Sequence, residues 1–176
     1  MLDNWYFAKA VNQRGTESYW EEGFSIDRWK FGLWQSSGAY VFPTNSDVTL
    51  HNETATDTAC SCYIEQTLEN PKYLAGKTVT FSAKLRTTTS VSGKPILRIY
   101  TDNGVFKSDY LKTSDGGKIV TLTATLPTNI TTLAVGIGAF ADYAGSGNFN
   151  LAIESVKLEV GAVSTLANDV PPKYSE

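Results

Sequence analysis

A chain of 176 residues is most economically a single domain, and it is long enough to remove about two-thirds of its unfolded surface from water on folding. The formal net charge of −3 leaves no basic footprint for nucleic acid, and with only 19% charged residues the polar surface must be carried by Thr, Ser and Asn. No apolar run reaches the length of about 18 residues that spans a membrane. Met1-Leu2-Asp3-Asn4-Trp5 has neither the basic nor the apolar region of a signal peptide, so the protein is expected to be a fragment of a longer chain or to leave the cell inside a larger assembly.

Residues 1–30 are aromatic-rich and irregular, with turns at Asn12-Gln13-Arg14-Gly15 and Glu21-Glu22-Gly23. Phe24 and Ile26 open a short strand. Asp27-Arg28 breaks its alternation before Trp29, Phe31 and Leu33 resume it on one face, the pattern of a β-bulge. Gln35 to Gly38 reads as a turn, Tyr40 to Phe42 as a strand stopped by Pro43, Val48 and Leu50 as another strand, and residues 52–57 as a polar loop. Cys62, Ile64, Gln66 and Leu68 mark the next strand, with a helical turn expected near residues 69–75.

Strict alternation then runs through Val79, Phe81, Ala83 and Leu85, through Leu97 and Ile99, through Val120, Leu122, Ala124 and Leu126, and through Leu133, Val135, Ile137 and Ala139. Asp102-Asn103-Gly104 is a strong hairpin signal. Residues 149–160 form a closing strand whose phase shifts between Ile153 and Val156. Successive strand side chains point to opposite faces, so each segment has one apolar and one wet face. Many such strands joined by Gly, Asn, Asp and Pro turns predict an all-β fold of two antiparallel sheets packed face to face, over residues 1–161. Residues 162–176 are read as a tail or linker.

Cys60 and Cys62 are one residue apart. Extended, they point the same way with Cα atoms roughly 6.5–7 Å apart, which disfavours a mutual disulfide and predicts two reduced, packed side chains. His51 is the only histidine and falls on the polar side of its strand. Carboxylates are scattered, no nucleophile has an elbow or base beside it, and no Gly-rich phosphate loop leads from a strand into a helix, so the chain is not read as an enzyme.

Flat rings with polar groups at their margins bind sugars, because an apolar ring face stacks while hydroxyls need partners. Trp29 shares its face with Phe31 and Leu33 and is assigned to the core. Trp34 lies on the opposite face beside a turn and is the leading candidate platform. Tyr19 and Trp20, among Glu17, Glu21 and Glu22, and Tyr143 in a Gly-rich loop are further candidates. Arg98 and Tyr100 face away from Leu97 and Ile99, and Lys84 and Arg86 also point outward, offering polar faces on sheets that alternation alone does not identify.

The segments Cys62-Tyr63-Ile64-Glu65-Gln66-Thr67-Leu68, Leu74-Ala75-Gly76-Lys77-Thr78-Val79-Thr80-Phe81-Ser82 and residues 149–158 resemble the strands of carbohydrate-binding jelly-roll modules. Leu2-Asp3-Asn4-Trp5-Tyr6-Phe7, Val11-Asn12-Gln13-Arg14-Gly15, Ser25-Ile26-Asp27-Arg28-Trp29 and the closing residues 158–169 are similar to a module of bacteriophage and prophage tail and tail-fibre proteins from Gram-positive gut bacteria. The resemblance implies a jelly roll and a non-catalytic recognition module that binds cell-surface carbohydrate on a virion tail or outside the cell. The alternatives are a spacer or homotrimerisation module of a fibre and an accessory module of a glycan-cleaving enzyme. Many such jelly rolls hold a structural calcium ion. Glu154 falls near the last-strand ligand position, but the first-strand position is Ala8, which cannot ligate, so no cofactor is expected.

Overall fold

A computed structural model describes residues 6–7, 19–26, 28–54, 59–89, 91–141 and 147–170. The strands are β1 (Gly23–Ile26), β2 (Trp29–Trp34), β3 (Tyr40–Pro43), β4 (Val48–Asn52), β5 (Ser61–Thr67), β6 (Thr78–Thr89), β7 (Ile96–Thr101), β8 (Gly104–Lys107), β9 (Ile119–Thr125), β10 (Leu133–Ala139) and β11 (Phe149–Val160). They form a six-stranded sheet in the order β1-β2-β5-β10-β7-β8 and a five-stranded sheet in the order β3-β4-β11-β6-β9. Every pairing is antiparallel. The fold is the all-β, two-sheet sandwich that the alternation predicts, in jelly-roll form.

The inward set of each strand is the one its period dictates. Trp29 and Phe31 from β2, Ile64 from β5, Phe81 and Leu85 from β6, Leu97 and Ile99 from β7 and Phe149 from β11 are fully buried between the sheets. Each such side chain contributes about 1.5–3 kcal/mol by leaving water. Trp29 also meets Phe7 edge-on, with ring centroids 5.2 Å apart.

Asp27, where the alternation breaks, lies outside the described residues, and its neighbour Arg28 sits in a turn between two strands rather than in a bulge inside one. Ile26 pairs with Trp29, and Arg28 has φ 74. A tight turn and a bulge both reset the alternation, so the pattern alone cannot separate them. A register shift does fall nearby, between Phe24 and Ile26. The phase shift in β11 is a bulge, with register breaks on both sides of Ile153 that leave Glu154 between paired neighbours. Asp102 and Asn103 form the two-residue hairpin joining β7 to β8, in which Thr101 pairs with Gly104. A short 3-10 turn occupies Pro71–Leu74, as expected.

The two outer faces differ. On the five-stranded sheet, the segment after β11 is fastened across β6 and β11. Thr80 Oγ1 donates to Gly161 O at 2.8 Å, Ser82 Oγ to Ser164 Oγ at 2.7 Å, and Lys157 Nζ to Asp169 Oδ1 at 2.8 Å. That cover explains why the polar Thr80 and Ser82 are buried on an outward face. Cys60 and Cys62 are both buried as thiols, and burial pushes the Cys62 thiol well above its ordinary pKa.

Candidate functional site

The outer face of the six-stranded sheet follows from strand parity. With Phe31, Ile64, Val135 and Ile99 inward, the residues between them point out. One row crosses all six strands: Phe24, Lys30, Glu65, Gly136, Arg98 and Lys107. The adjoining row holds Gly32, Tyr63, Gly138 and Ile96. Trp34 lies beyond it opposite Ser61, and Tyr100 lies at the other end beside Ala134.

Glycines let side chains lie flat on this face. A Cβ at Gly32 would sit 2.3 Å from Cζ of Tyr63, so the tyrosine ring occupies that space. A Cβ at Gly136 would sit 3.1 Å from Cζ of Phe140. Tyr63 and Phe140 stack with centroids 4.5 Å apart and planes 25° from parallel. Arg98 then lies over Phe140, its Cζ 3.6 Å from the ring centroid. The guanidinium reaches past Gly136 to Glu65, with Nη2 2.6 Å from Oε2. These layers explain why β10 is buried at all seven positions, inward and outward alike.

The electrostatics are closely paired. The Arg98 and Glu65 side chains are 12% and 18% exposed, so their pairing is shielded from water far more than a surface ion pair. The Nε of Arg98 is buried without a hydrogen-bond partner. Glu22 Oε1 holds Lys30 Nζ at 2.6 Å, and that hydrogen bond raises the lysine pKa against the opposing effect of burial. Burial, reinforced by the Glu65 carboxylate, raises the Tyr63 phenol above its ordinary value and keeps its proton in place. Glycoside hydrolysis needs one carboxyl group to donate a proton and another to act as base or nucleophile. Here Glu65 and Glu22 are each held by a cation. Exposed rings beside a neutralised polar centre suit reversible binding of hydroxyl-rich ligands.

This architecture is shared with solved proteins. The xylan-binding module CBM15 superposes with a TM-score of 0.51 at 15% identity, covering 85% of this chain and 100% of that one. Xylanase10C from Cellvibrio japonicus, in complex with xylopentaose, superposes with a TM-score of 0.50 at 15% identity, covering 83% of this chain and 29% of that one. The chain thus shares the two-sheet sandwich fold of the xylan-binding module. No protein-family model matches the sequence, and no curated protein matches it.

The module brings three sequence-predicted residues to its open face. Trp34 is 49% exposed, Tyr100 is 39% exposed, and Arg98 lies between them with its Cζ 5.7 Å from the Tyr100 ring. Tyr19 and Trp20 lie elsewhere, beside β3 of the other sheet, where Tyr19 bridges Val41. Tyr143 lies outside the described residues. Lys84 and Arg86 also belong to the other sheet, where they pair with Glu154 and Asp47. The described residues do not fit the calcium site that the resemblance implies. Lys84 Nζ stands 2.7 Å from Glu154 Oε1, where a metal ion would have to compete with an ammonium group. Among the described residues, no group of three or more His, Cys, Asp or Glu could hold a metal ion.

Tyr63, Glu65, Phe140, Lys30 and Phe24 were missed by sequence reasoning. The signal for two of them was present, since placing Cys62, Ile64 and Gln66 inward turns Tyr63 and Glu65 outward. Gly32→Ala is expected to drive the Tyr63 ring from its seat and to destabilise the module by about 1–3 kcal/mol. Denaturant unfolding should show most of that cost disappearing when Gly32→Ala is introduced into a Tyr63→Ala background, because emptying the ring's seat leaves space for the new methyl.

Proposed function

We propose that this module is a non-catalytic carbohydrate-binding domain whose outer six-stranded face holds a polysaccharide along the diagonal from Trp34 to Tyr100. One observation carries the reading: two exposed aromatic anchors and a partly buried Arg98–Glu65 pair share the open face of the sandwich. From the row of Trp34 to the row of Tyr100 is the distance from Ser61 to Thr67 along β5, roughly 20 Å by strand rise. Across the sheet, the step from β2 to β7 passes β5 and β10, roughly 14 Å at ordinary strand spacing. The diagonal accommodates a run of several sugar units. The ligand is then an internal stretch of chain, gripped by ring faces at both ends and by hydrogen bonds at the centre.

The fold shared with a xylan-binding module supports a glycan as the ligand class. The resemblance of residues 2–7, 11–15, 25–29 and 158–169 to phage tail modules supports a place on a virion tail or tail fibre, with a cell-surface polysaccharide as receptor. Copies carried on a homotrimeric fibre would convert weak single sites into firm attachment.

The test is calorimetric titration with xylohexaose, cellohexaose and purified bacterial cell-wall polysaccharide. Trp34→Ala and Tyr100→Ala should each weaken binding by about five- to thirtyfold, the effect of losing about 1–2 kcal/mol at an aromatic anchor. Unchanged affinity in both variants would refute this face as the site. Release of reducing ends during incubation would favour a glycan-cleaving enzyme instead. A stable trimer that binds none of the three ligands would favour a fibre spacer.

A further inference from the structure

The second sheet carries its own line of rings and polar groups, and it is not part of the face described above. Tyr19 is joined to the edge of β3 by two hydrogen bonds, from Tyr19 N to Val41 O at 2.9 Å and from Val41 N to Tyr19 O at 3.0 Å. Directly opposite pairing of Tyr19 with Val41 sets Trp20 beside Tyr40. Tyr40 is paired with His51, His51 with Asn150, and Asn150 with Thr89. Trp20, Tyr40, His51, Asn150 and Thr89 therefore form one straight row across the outer face of the five-stranded sheet.

The row is built rather than incidental. The Trp20 and Tyr40 centroids are 4.8 Å apart, and those of Tyr40 and His51 are 4.7 Å apart with planes 26° from parallel. His51 is fixed from its far side by Glu53, with Nε2 to Oε1 at 3.1 Å. Its Nδ1 is buried without a hydrogen-bond partner. Yet Trp20, at the outer end of this ordered stack, is 58% exposed. A lone exposed ring would be ordinary, but contiguous exposed rings mark a contact site. Phe42, two residues along β3 on the same side, is exposed as well. Among the described residues, the segment after β11 covers Thr80 and Ser82, some distance along β6 from Thr89.

We infer that this row is a second carbohydrate subsite for an oligosaccharide: one pyranose ring stacks on the exposed Trp20 indole, which Tyr40 and His51 brace from behind, and later units of the same chain run along the row so that their hydroxyls meet Asn150 and Thr89, roughly 14–19 Å from Trp20 at ordinary strand spacing. Indole and phenol faces suit the apolar side of a sugar ring, and amide and hydroxyl groups suit its margin. The row points away from Trp34 and Tyr100, with two sheets about 10 Å apart between the two faces. A single straight glycan cannot lie on both. The module therefore holds two separate polysaccharide strands and links them.

This inference shares with the proposed function the premise of a glycan ligand, and the experiment separates the two. Xylohexaose, cellohexaose and purified cell-wall polysaccharide are titrated into wild type, Trp34→Ala, Trp20→Ala, Trp20→Tyr and Trp34→Ala/Trp20→Ala. Stoichiometry is read by calorimetry with the hexasaccharides, and agglutination by turbidity with the polysaccharide. The expected result is two hexasaccharides per wild-type chain and one in either single Ala variant. Binding should fall at least tenfold further in the double variant, agglutination should be lost in Trp20→Ala, and Trp20→Tyr should retain both. One hexasaccharide per wild-type chain, with Trp20→Ala indistinguishable from it, overturns this inference and leaves the Trp34–Tyr100 face standing. Loss of all binding in Trp20→Ala alone does the reverse. No binding of any of the three glycans by wild type overturns both.

Discussion

Gly138→Ala is expected to destabilise the module by about 3–4 kcal/mol or more, a large share of the 5–15 kcal/mol that holds an ordinary domain folded. Gly138 lies in β10 with φ +135, where an L side chain is strained. A Cβ there would stand 2.3 Å from Cys62 O, 2.7 Å from Tyr63 Cα and 3.0 Å from Leu50 Cδ2. The first two are backbone atoms of the neighbouring β5 and cannot swing aside. Relief would require β5 and β10 to separate at the pair Gly138–Tyr63, directly beneath the aromatic face. Gly104→Ala is the matched control. Its Cβ would meet nothing closer than 3.6 Å, and its cost should stay within about 1 kcal/mol. Urea unfolding of the two variants decides the matter, and equal midpoints would contradict the backbone described for β10.

Arg98→Ala should impair stability and binding together, and a second substitution should separate the two effects. Arg98 joins the centre of the face: it pairs with Glu65, covers Phe140, and stands 5.4 Å from the Tyr63 ring and 5.7 Å from that of Tyr100. Its removal leaves Glu65 mostly buried without its cation. Breaking a fully buried pair costs about 3–5 kcal/mol, and the remaining exposure of this pair reduces the expectation to about 1–3 kcal/mol. In Arg98→Ala/Glu65→Gln the uncompensated charge is gone, so most of the stability should return. Glycan affinity should remain at least tenfold down, because neither the guanidinium donors nor the cover over Phe140 is restored. Arg98→Lys should keep stability better than affinity, since an ammonium can pair with Glu65 but cannot stack flat on a ring. Recovery of binding along with stability in the double variant would show that Arg98 acts on the face only by holding the fold.

The sandwich itself was legible because burial on one side imposes a period of two, and a period survives in a list of residues. Residues 149–160, the Asp102-Asn103-Gly104 hairpin and the inward assignment of Trp29 are all local readings, and each is found in the structure. What the list lacks is which strand lies beside which. Arg98 and Lys84 carry the same outward signature in sequence, yet one faces Glu65 across β10 and the other faces Glu154 across the opposite sheet. The aromatic face is assembled from β2, β5, β7 and the end of β10, which become neighbours only through long-range pairing. Its glycines were equally silent, since Gly32 and Gly136 matter for what lies over them rather than for any turn they make. Trp20 is legible in sequence only as a candidate ring among glutamates, and the single bridge between Tyr19 and Val41 that aligns it with Tyr40 has no sequence signature.

The complete burial of β10 carries a dynamic consequence. The strand is hydrogen-bonded on both flanks, with apolar packing beneath it and stacked rings above. Exposing its amides to solvent is expected to require the sandwich itself to open. Their deuterium uptake then tracks disassembly of the entire molecule, whereas β3 and β8, on the sheet margins, can fray without it. The strand directly under the stacked rings is therefore expected among the most protected of the described segments, and the aromatic face rests on a rigid floor.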